Sequence, residues 1–208
     1  MMGLILAFTG LARANELTVN DGTATNQYIP IYGYYADVST SYTETQFILP
    51  SADLAAMNGG TITGLTFYAN YNQNFGNANF DIFMQETTST TMSSLASYSG
   101  LTPVYSGHLA IVSNQIVITF SNAYTYNGGN LLVTFHKTAS GTCSSSSADK
   151  FYGVSASNGV SGYWYYSSFT TQSFLPKVTF TYSGGQGGQT CPLTVAPDPA
   201  DFGYRPNN

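Results

Sequence analysis

Residues 116–138 read IVITFSNAYTYNGGNLLVTFHKT, and this stretch decides the class of fold. Apolar side chains occupy every second position of 116–120 and again of 131–135. A period of two residues places one apolar stripe on one face of a β-strand. The intervening Asn127-Gly128-Gly129 is a turn signal. The stretch therefore predicts two strands, each with one buried face.

The same period recurs along the chain and predicts an all-β protein. It is found at 80–84 and 178–182, and a slip of its phase at Gly64 predicts a β-bulge. Further strands are predicted over 28–35, 43–49, 103–106, 108–113, 151–155 and 162–168, with a single helical turn over Ala52–Met57. About ten strands in one antiparallel set predict a β-sandwich, jelly-roll-like in type.

Composition excludes several classes of protein. Only 7% of the 208 residues are charged, against about 25% in ordinary soluble domains. Five Lys and Arg in total are too few to neutralise a run of phosphates, so we expect no nucleic-acid partner. Seventeen Tyr and 13 Phe demand packing partners, which argues against disorder.

The N-terminus reads as a targeting signal. Residues 2–14, MGLILAFTGLARA, are a short apolar run that ends in small residues at Ala12 and Ala14. This pattern predicts a signal peptide over 1–14, with cleavage before Asn15 and a secreted or cell-surface protein. No basic residue precedes the run, so either the gene starts further upstream or the signal is weak. The alternative to a signal peptide is a buried N-terminal strand. No later run is long enough to predict a membrane span.

The C-terminal part changes in character. The predicted β-sandwich module covers 15–183, and 184–208 is predicted to be a Gly- and Pro-rich linker with the start of a truncated next module. Further domains of the same chain are therefore expected downstream. Cys143 and Cys191 can pair in an exported protein. The alternatives are that both are free thiols, or that Cys191 belongs to a following domain.

Four segments together resemble a β-sandwich module of secreted and surface proteins of Bacteroidetes. They are FDIFMQETTSTTMSSL (80–95), PVYSGHLAI (103–111), the stretch at 116–138 and SFLPKVTFTY (173–182). The order matches a family in which an "IYM…TT" strand is followed by "VY.G" and then by "YNGGNLLV". The last of these stands here at 126–133 and is the most specific piece.

The resemblance covers residues 17 to 183 and implies the kind of protein in which the module occurs, but no functional site. Such modules stand beside fibronectin type III or adhesin-like domains, in proteins with a C-terminal secretion-sorting signal. Relatives commonly carry Pro-Phe before the YNGGN motif, where this chain has Ala123-Tyr124. The family offers no catalytic or ligand residues to carry over.

The residues do not predict an enzyme. A glycosidase needs two carboxylates across a sugar, and Asp81 and Glu86 on or just after one strand are the candidates. Asp81 alternates with the apolar stripe, which favours a solvent-facing position. His108 and His136 have no GxSxG nucleophile elbow to serve. We therefore expect no catalytic residue.

No cofactor is expected either. No CxxC or HExxH motif predicts zinc. Loops that contain Asp21, Asp37, Asp53 or Asp149 can supply oxygen ligands to a structural calcium ion, but DxDxDG spacing is lacking.

Two aromatic clusters favour a binding role. They are YIPIYGYY at 28–35 and GYWYY at 162–166. Aromatic faces stack on the C–H faces of sugars, while hydroxyls and amides read the polar edge. The candidate ligand-binding residues are Tyr32, Tyr34, Trp164 and Tyr166.

Several readings of these rings stay open. The expected function is a non-catalytic extracellular module for adhesion or carbohydrate contact, with glycans or host and cell-surface proteins as partners. The alternative is a structural spacer that presents a neighbouring peptidase or adhesin domain. In that case the tyrosines only fill sheet surfaces by β-propensity and cross-strand pairing.

Overall fold

A computed structural model describes residues 14–32, 43–70, 78–139, 150–165 and 167–186. The described residues form 13 antiparallel strands in three sheets, which confirms the predicted all-β sandwich with more strands than expected. A four-stranded sheet has the order β1 (Asn15–Val19), β13 (Val178–Gly184), β4 (Gly60–Tyr68), β7 (Gln115–Thr125). A six-stranded sheet has the order β11 (Ser168–Gln172), β10 (Ser161–Tyr165), β3 (Glu44–Leu49), β8 (Asn130–Ala139), β5 (Asn79–Thr87), β6 (Tyr105–His108). A small sheet has the order β12 (Phe174–Pro176), β9 (Phe151–Ser155), β2 (Ala24–Asn26).

The core lies between the two larger sheets. Phe67 of β4 meets Phe47 of β3 and Phe135 of β8, with ring centroids 6.1 and 5.6 Å apart. All three side chains are buried, so the two sheets pack face to face. The predicted stripes supply this core, with the following residues buried: Ile116, Ile118, Leu131, Val133, Phe135, Phe80, Ile82, Met84, Val178, Phe180 and Tyr182.

The chain passes repeatedly between the sheets. It leaves β3 through a 3₁₀ helix over Ser51–Met57 to reach β4, then returns to the six-stranded sheet at β5. It crosses again from β6 to β7 and from β7 to β8. A bridge between Ala69 and Phe151 links the small sheet to the end of β4. This junction brings the β1–β2 turn, β4, β9 and β13 close together.

Several local predictions are confirmed. The predicted helical turn is the 3₁₀ helix, and the strand predicted over 151–155 is β9. The register of β4 against β7 shifts between Ile62 and Gly64, as the phase slip predicted.

Three predicted strands are wrong, one of them only in part. Residues 28–30 form bends and residues 31–32 belong to no regular element, because the side-chain carbonyl of Asn26 accepts hydrogen bonds from the N–H groups of Tyr28 and Ile29 and Pro30 has no N–H to donate. The strand predicted over 162–168 is confirmed as far as Tyr165, the end of β10, but Ser168 begins a second strand, β11, that pairs back on it. The strand predicted over 108–113 is replaced by the end of β6 and a tight turn between Val112 and Gln115.

Some predictions concern residues outside the described ranges. These are the signal peptide over 1–14 apart from Ala14, the C-terminal segment beyond 186, and both cysteines, Cys143 and Cys191. Among the described residues, no helix is both long and apolar enough to span a bilayer.

Candidate binding site

Four tyrosines form one cluster where residues 28–32 meet β10, the second strand of the six-stranded sheet, and we call Tyr28, Tyr32, Tyr163 and Tyr165 the tyrosine cluster. The rings of Tyr28 and Tyr163 stack, with centroids 4.6 Å apart and planes 11° apart. Tyr32 lies 4.8 Å from Tyr28, 5.0 Å from Tyr163 and 5.8 Å from Tyr165. Each of the four residues is half-buried, so part of every side chain remains open to solvent.

Two segments of the chain bring these rings together. The Asn26 turn directs Tyr28 and Tyr32 outward, while Ile29 and Ile31 between them are buried. The hydroxyl of Thr45 on β3 donates to the carbonyl oxygen of Pro30, which ties this segment to the sheet. Because Tyr163 pairs in register with Thr45, it stands next to the tied segment.

Trp164 lies on the other face of β10. Successive strand residues point to opposite faces, so Trp164 is separated from Tyr163 and Tyr165. In register it stands between Glu44 of β3 and Phe169 of β11, and it is half-buried.

The four predicted site residues therefore divide into different groups. Tyr32 belongs to the tyrosine cluster and Trp164 to the opposite face, while Tyr34 and Tyr166 lie outside the described residues. The sequence carried a signal for the remaining cluster members, because Tyr28, Tyr163 and Tyr165 stand within the two aromatic segments. Their grouping depends on the hairpin and the Asn26 turn, which periodicity did not predict.

The outer face of the six-stranded sheet carries a polar cluster of Glu44, Tyr98 and His136, which we call the Glu44 cluster. The Tyr98 hydroxyl donates to Glu44 Oε1 at 2.5 Å, and His136 Nδ1 lies 2.9 Å from the same oxygen. A carboxylate only accepts, so Nδ1 of His136 carries the proton. Burial alone raises the pKa of Glu44, but hydrogen bonds from His136 and Tyr98 outweigh it, and the pKa lies below its ordinary value of 4.5. Burial and the bond to Glu44 raise the pKa of Tyr98 above its usual range.

The segment 88–100 covers this face. The amide of the fully buried Gln46 donates to the Ala96 carbonyl and accepts from the Ala96 N–H, both at 2.8 Å. The Tyr98 ring packs on Phe83 with centroids 4.7 Å apart. These contacts hold 88–100 against the sheet, so the Glu44 cluster serves to anchor this segment.

The YNGGN motif forms a turn that Glu86 holds together. The Glu86 carboxylate accepts from the backbone N–H groups of Asn127 at 2.7 Å and Gly129 at 2.6 Å. The buried Tyr126 donates its hydroxyl to the Gly129 carbonyl at 2.7 Å. Asn130 accepts from the Ser51 N–H at the start of the 3₁₀ helix. The residues of the YNGGN motif therefore have a structural role: they form this turn and attach it to β5 and the 3₁₀ helix.

The two carboxylates considered for glycosidase chemistry are not paired across a cleft. Asp81 and Glu86 are five positions apart on β5, which places them on opposite faces of the strand. Within the described ranges, no group of three or more His, Cys, Asp or Glu is arranged to hold a metal ion. Of the aspartates considered for calcium, Asp21 pairs with Lys177, while Asp37 and Asp149 lie outside those ranges.

Comparisons with models of known protein families, with curated proteins and with solved structures find no match to this chain.

Proposed function

We propose that the chain is a non-catalytic binding module that contacts carbohydrate through the tyrosine cluster. The observation that carries this proposal is the contiguity of four half-exposed tyrosine rings on one side of β10. Contiguous exposed aromatic surface commonly marks an interaction site. Tyrosine suits sugars because its ring stacks on C–H faces and its hydroxyl bonds to sugar hydroxyls.

The setting we propose is extracellular, in a larger secreted or surface protein. Support comes from the apolar run at 2–14, the scarcity of charge and the resemblance to Bacteroidetes surface modules. In that setting the cluster serves adhesion, and glycans on a neighbouring cell are the partner of first choice. Proteins of a host or cell surface are the other partner class.

The second candidate is a structural spacer that presents a neighbouring domain. One observation favours it: the faces of Tyr28 and Tyr163 are stacked on each other. Ring area used in this way stabilises the packing of residues 28–32 on β10 and is not offered to a ligand. In a binding module the solvent-open parts of Tyr32 and Tyr165 contact a ligand, whereas in a spacer they contact only solvent.

A glycan array probed with the full chain and two variants tests the proposal. The double variant Tyr32→Ala/Tyr165→Ala removes two rings of the cluster and keeps both partners of the Tyr28–Tyr163 stack. Trp164→Ala is the matched control, because it removes a half-buried aromatic ring from the opposite face of the same strand.

We expect the wild type and Trp164→Ala to bind the same glycans and the double variant to lose them. Loss with Trp164→Ala alone would move the contact surface to the outer face. Failure of the folded wild type to bind any glycan would favour the spacer or a protein partner.

A further inference from the structure

A second concave site lies where the small sheet meets the four-stranded sheet. Its cavity has a volume of about 300 Å³. The β1–β2 turn, the end of β4, the turn before β7, strand β9 and the residue before β13 all contribute to its walls. The lining includes Asp21, Tyr68, Ser113, Asn114, Tyr152 and Lys177. We call this site the lysine pocket, and it shares no residue with the tyrosine cluster.

Lys177 is held in place by three interactions. Its Nζ lies 2.5 Å from Asp21 Oδ1 and 4.5 Å from the centroid of the Tyr68 ring. Its backbone N–H donates to the carbonyl oxygen of Tyr152 at 2.7 Å. Asp21 and Lys177 are the charged members of the lining and their charges cancel, which favours an uncharged ligand.

The ring of Tyr68 is held in one orientation. Its hydroxyl forms a hydrogen bond of 2.7 Å with the hydroxyl of Thr179, which forms another of 2.7 Å with that of Thr18. Its polar atom is thus satisfied within the protein, and the ring contributes a fixed apolar surface to the pocket. Sites with a fixed geometry lose less conformational entropy on binding.

The turn that carries Ser113 and Asn114 has an unusual conformation for its sequence. Val112 and Gln115 exchange backbone hydrogen bonds of 2.8 and 3.0 Å around it. Ser113 and Asn114 have φ of 53° and 61°, a region in which two-residue hairpin turns favour Asn-Gly or Gly-Gly. Non-glycine residues in this region carry backbone strain, which occurs preferentially at functional sites. Both exposed side chains line the pocket.

We propose that the lysine pocket binds a single neutral pyranose unit. The Asp21 carboxylate accepts from sugar hydroxyls, Lys177 donates to them, and the ring of Tyr152 in the lining supports the apolar face of the sugar. Asp21 keeps 69% of its side chain exposed, so it is accessible to such a ligand. The volume is near the lower end of small-molecule sites, which begin at about 300 Å³, and suits one sugar unit.

Saturation-transfer NMR with the full chain tests this site. The probes are methyl glycosides of glucose, galactose, mannose and N-acetylglucosamine, together with the corresponding free sugars and disaccharides. Binding of both a methyl glycoside and a disaccharide assigns the end of a glycan chain, while binding of a free sugar alone assigns a free monosaccharide.

Two variants locate the binding. Asp21→Asn removes the carboxylate's charge, and Lys177→Met removes the ammonium while retaining an unbranched apolar stem over Tyr68. Asp53→Asn makes the same charge change at an exposed position on the 3₁₀ helix and is the control. Thermal unfolding of each variant shows which are folded. If one of the two pocket variants does not fold, the other still tests the site.

We expect at least one probe to bind the wild type and Asp53→Asn, and to bind both pocket variants roughly tenfold more weakly or worse. We expect the Tyr32→Ala/Tyr165→Ala variant to bind the probe as the wild type does. A failure of the proposed function at the tyrosine cluster can therefore be distinguished from a failure of this proposal at the lysine pocket. The proposal is overturned if no probe binds the folded wild type, or if binding persists unchanged in folded Asp21→Asn and Lys177→Met.

Discussion

The half-buried carboxylates Glu44 and Glu86 act as acceptors for neighbouring donors. Glu86 accepts from two backbone N–H groups of the YNGGN turn, and Glu44 accepts from Tyr98 and His136. Hydrogen bonds to an ionised group are stronger than those between neutral groups. Each residue therefore stabilises the segment that donates to it, the YNGGN turn for Glu86 and the segment 88–100 for Glu44.

Glu86→Gln tests the role of the carboxylate in the turn. The amide keeps the shape but replaces one accepting oxygen by a donor, which then faces a backbone N–H. We expect the free energy of unfolding to fall by about 1–3 kcal/mol, the range for bonds to charged groups. Urea denaturation measures it, with Glu16→Gln on the exposed side of β1 as the matched control. A change no larger than that of the control would contradict the assigned role.

The Glu44 cluster predicts a pH dependence. The pKa of Glu44 in the fold lies below its ordinary value of 4.5, so its ionised form stabilises the protein fully above that pH. This contribution is lost as the pH falls through the folded-state pKa. We expect Glu44→Gln to be less stable than the wild type at pH 7, with the difference shrinking as the pH falls below about 4.5.

Urea denaturation of both proteins from pH 7 downward measures this difference. Glu16→Gln, which changes an exposed carboxylate, is expected to follow the wild type across the series. A difference between wild type and Glu44→Gln that stays constant, or grows at low pH, would show that Glu44 is not stabilised in its ionised form.

Two strands come so close to neighbouring groups at a glycine that an added Cβ would clash. A Cβ on Gly153 of β9 would lie 2.1 Å from the Leu175 carbonyl oxygen, which belongs to the backbone of β12. A Cβ on Gly162 of β10 would lie 2.3 Å from the ring of Phe169, which can rotate. The two sites therefore differ in how easily the neighbour can move.

Gly153→Ala and Gly162→Ala are expected to destabilise to different extents. Overpacking costs about 1–3 kcal/mol, and we expect Gly153→Ala at or above the upper end and Gly162→Ala near the lower end. Thermal or urea unfolding of the two variants measures the order. Equal effects, or a larger effect at Gly162, would mean that the backbone of β12 yields more readily than the Phe169 ring.

The alternating segments were predictable, and the irregular ones were not. The stripe from Leu131 to Phe135 is buried as expected, because a two-residue period has one physical meaning in a half-buried strand. The aromatic segment at 28–35 misled the prediction, because a side chain outside it, Asn26, turns the backbone of its described part. Residues 162–168 were predicted as one strand because residues of high β-propensity continue from β10 into β11.

The candidate sites combine residues far apart in the sequence. The aromatic segments drew attention to Tyr32 and Trp164, but their separation on two faces follows from the register of β10 on β3. The lysine pocket draws on five separate stretches, from Asp21 to Lys177, and none of them carries a motif. The Glu44 cluster likewise forms only after β3, β8 and the segment 88–100 have packed together. Such sites depend on tertiary pairing, which local patterns do not contain.

At the scale of the whole molecule, the described residues form a sandwich that carries the tyrosine cluster beside β10, and the proposed function requires that these rings do more than pack against one another. The most direct test measures two quantities on the same protein, the affinity for the best array glycan and the free energy of unfolding, for wild type and Tyr32→Ala/Tyr165→Ala. We predict that the affinity falls roughly tenfold or more, while the folded state is retained. Unchanged affinity with reduced stability would mean that the tyrosine cluster is packing alone, and would contradict the proposed function.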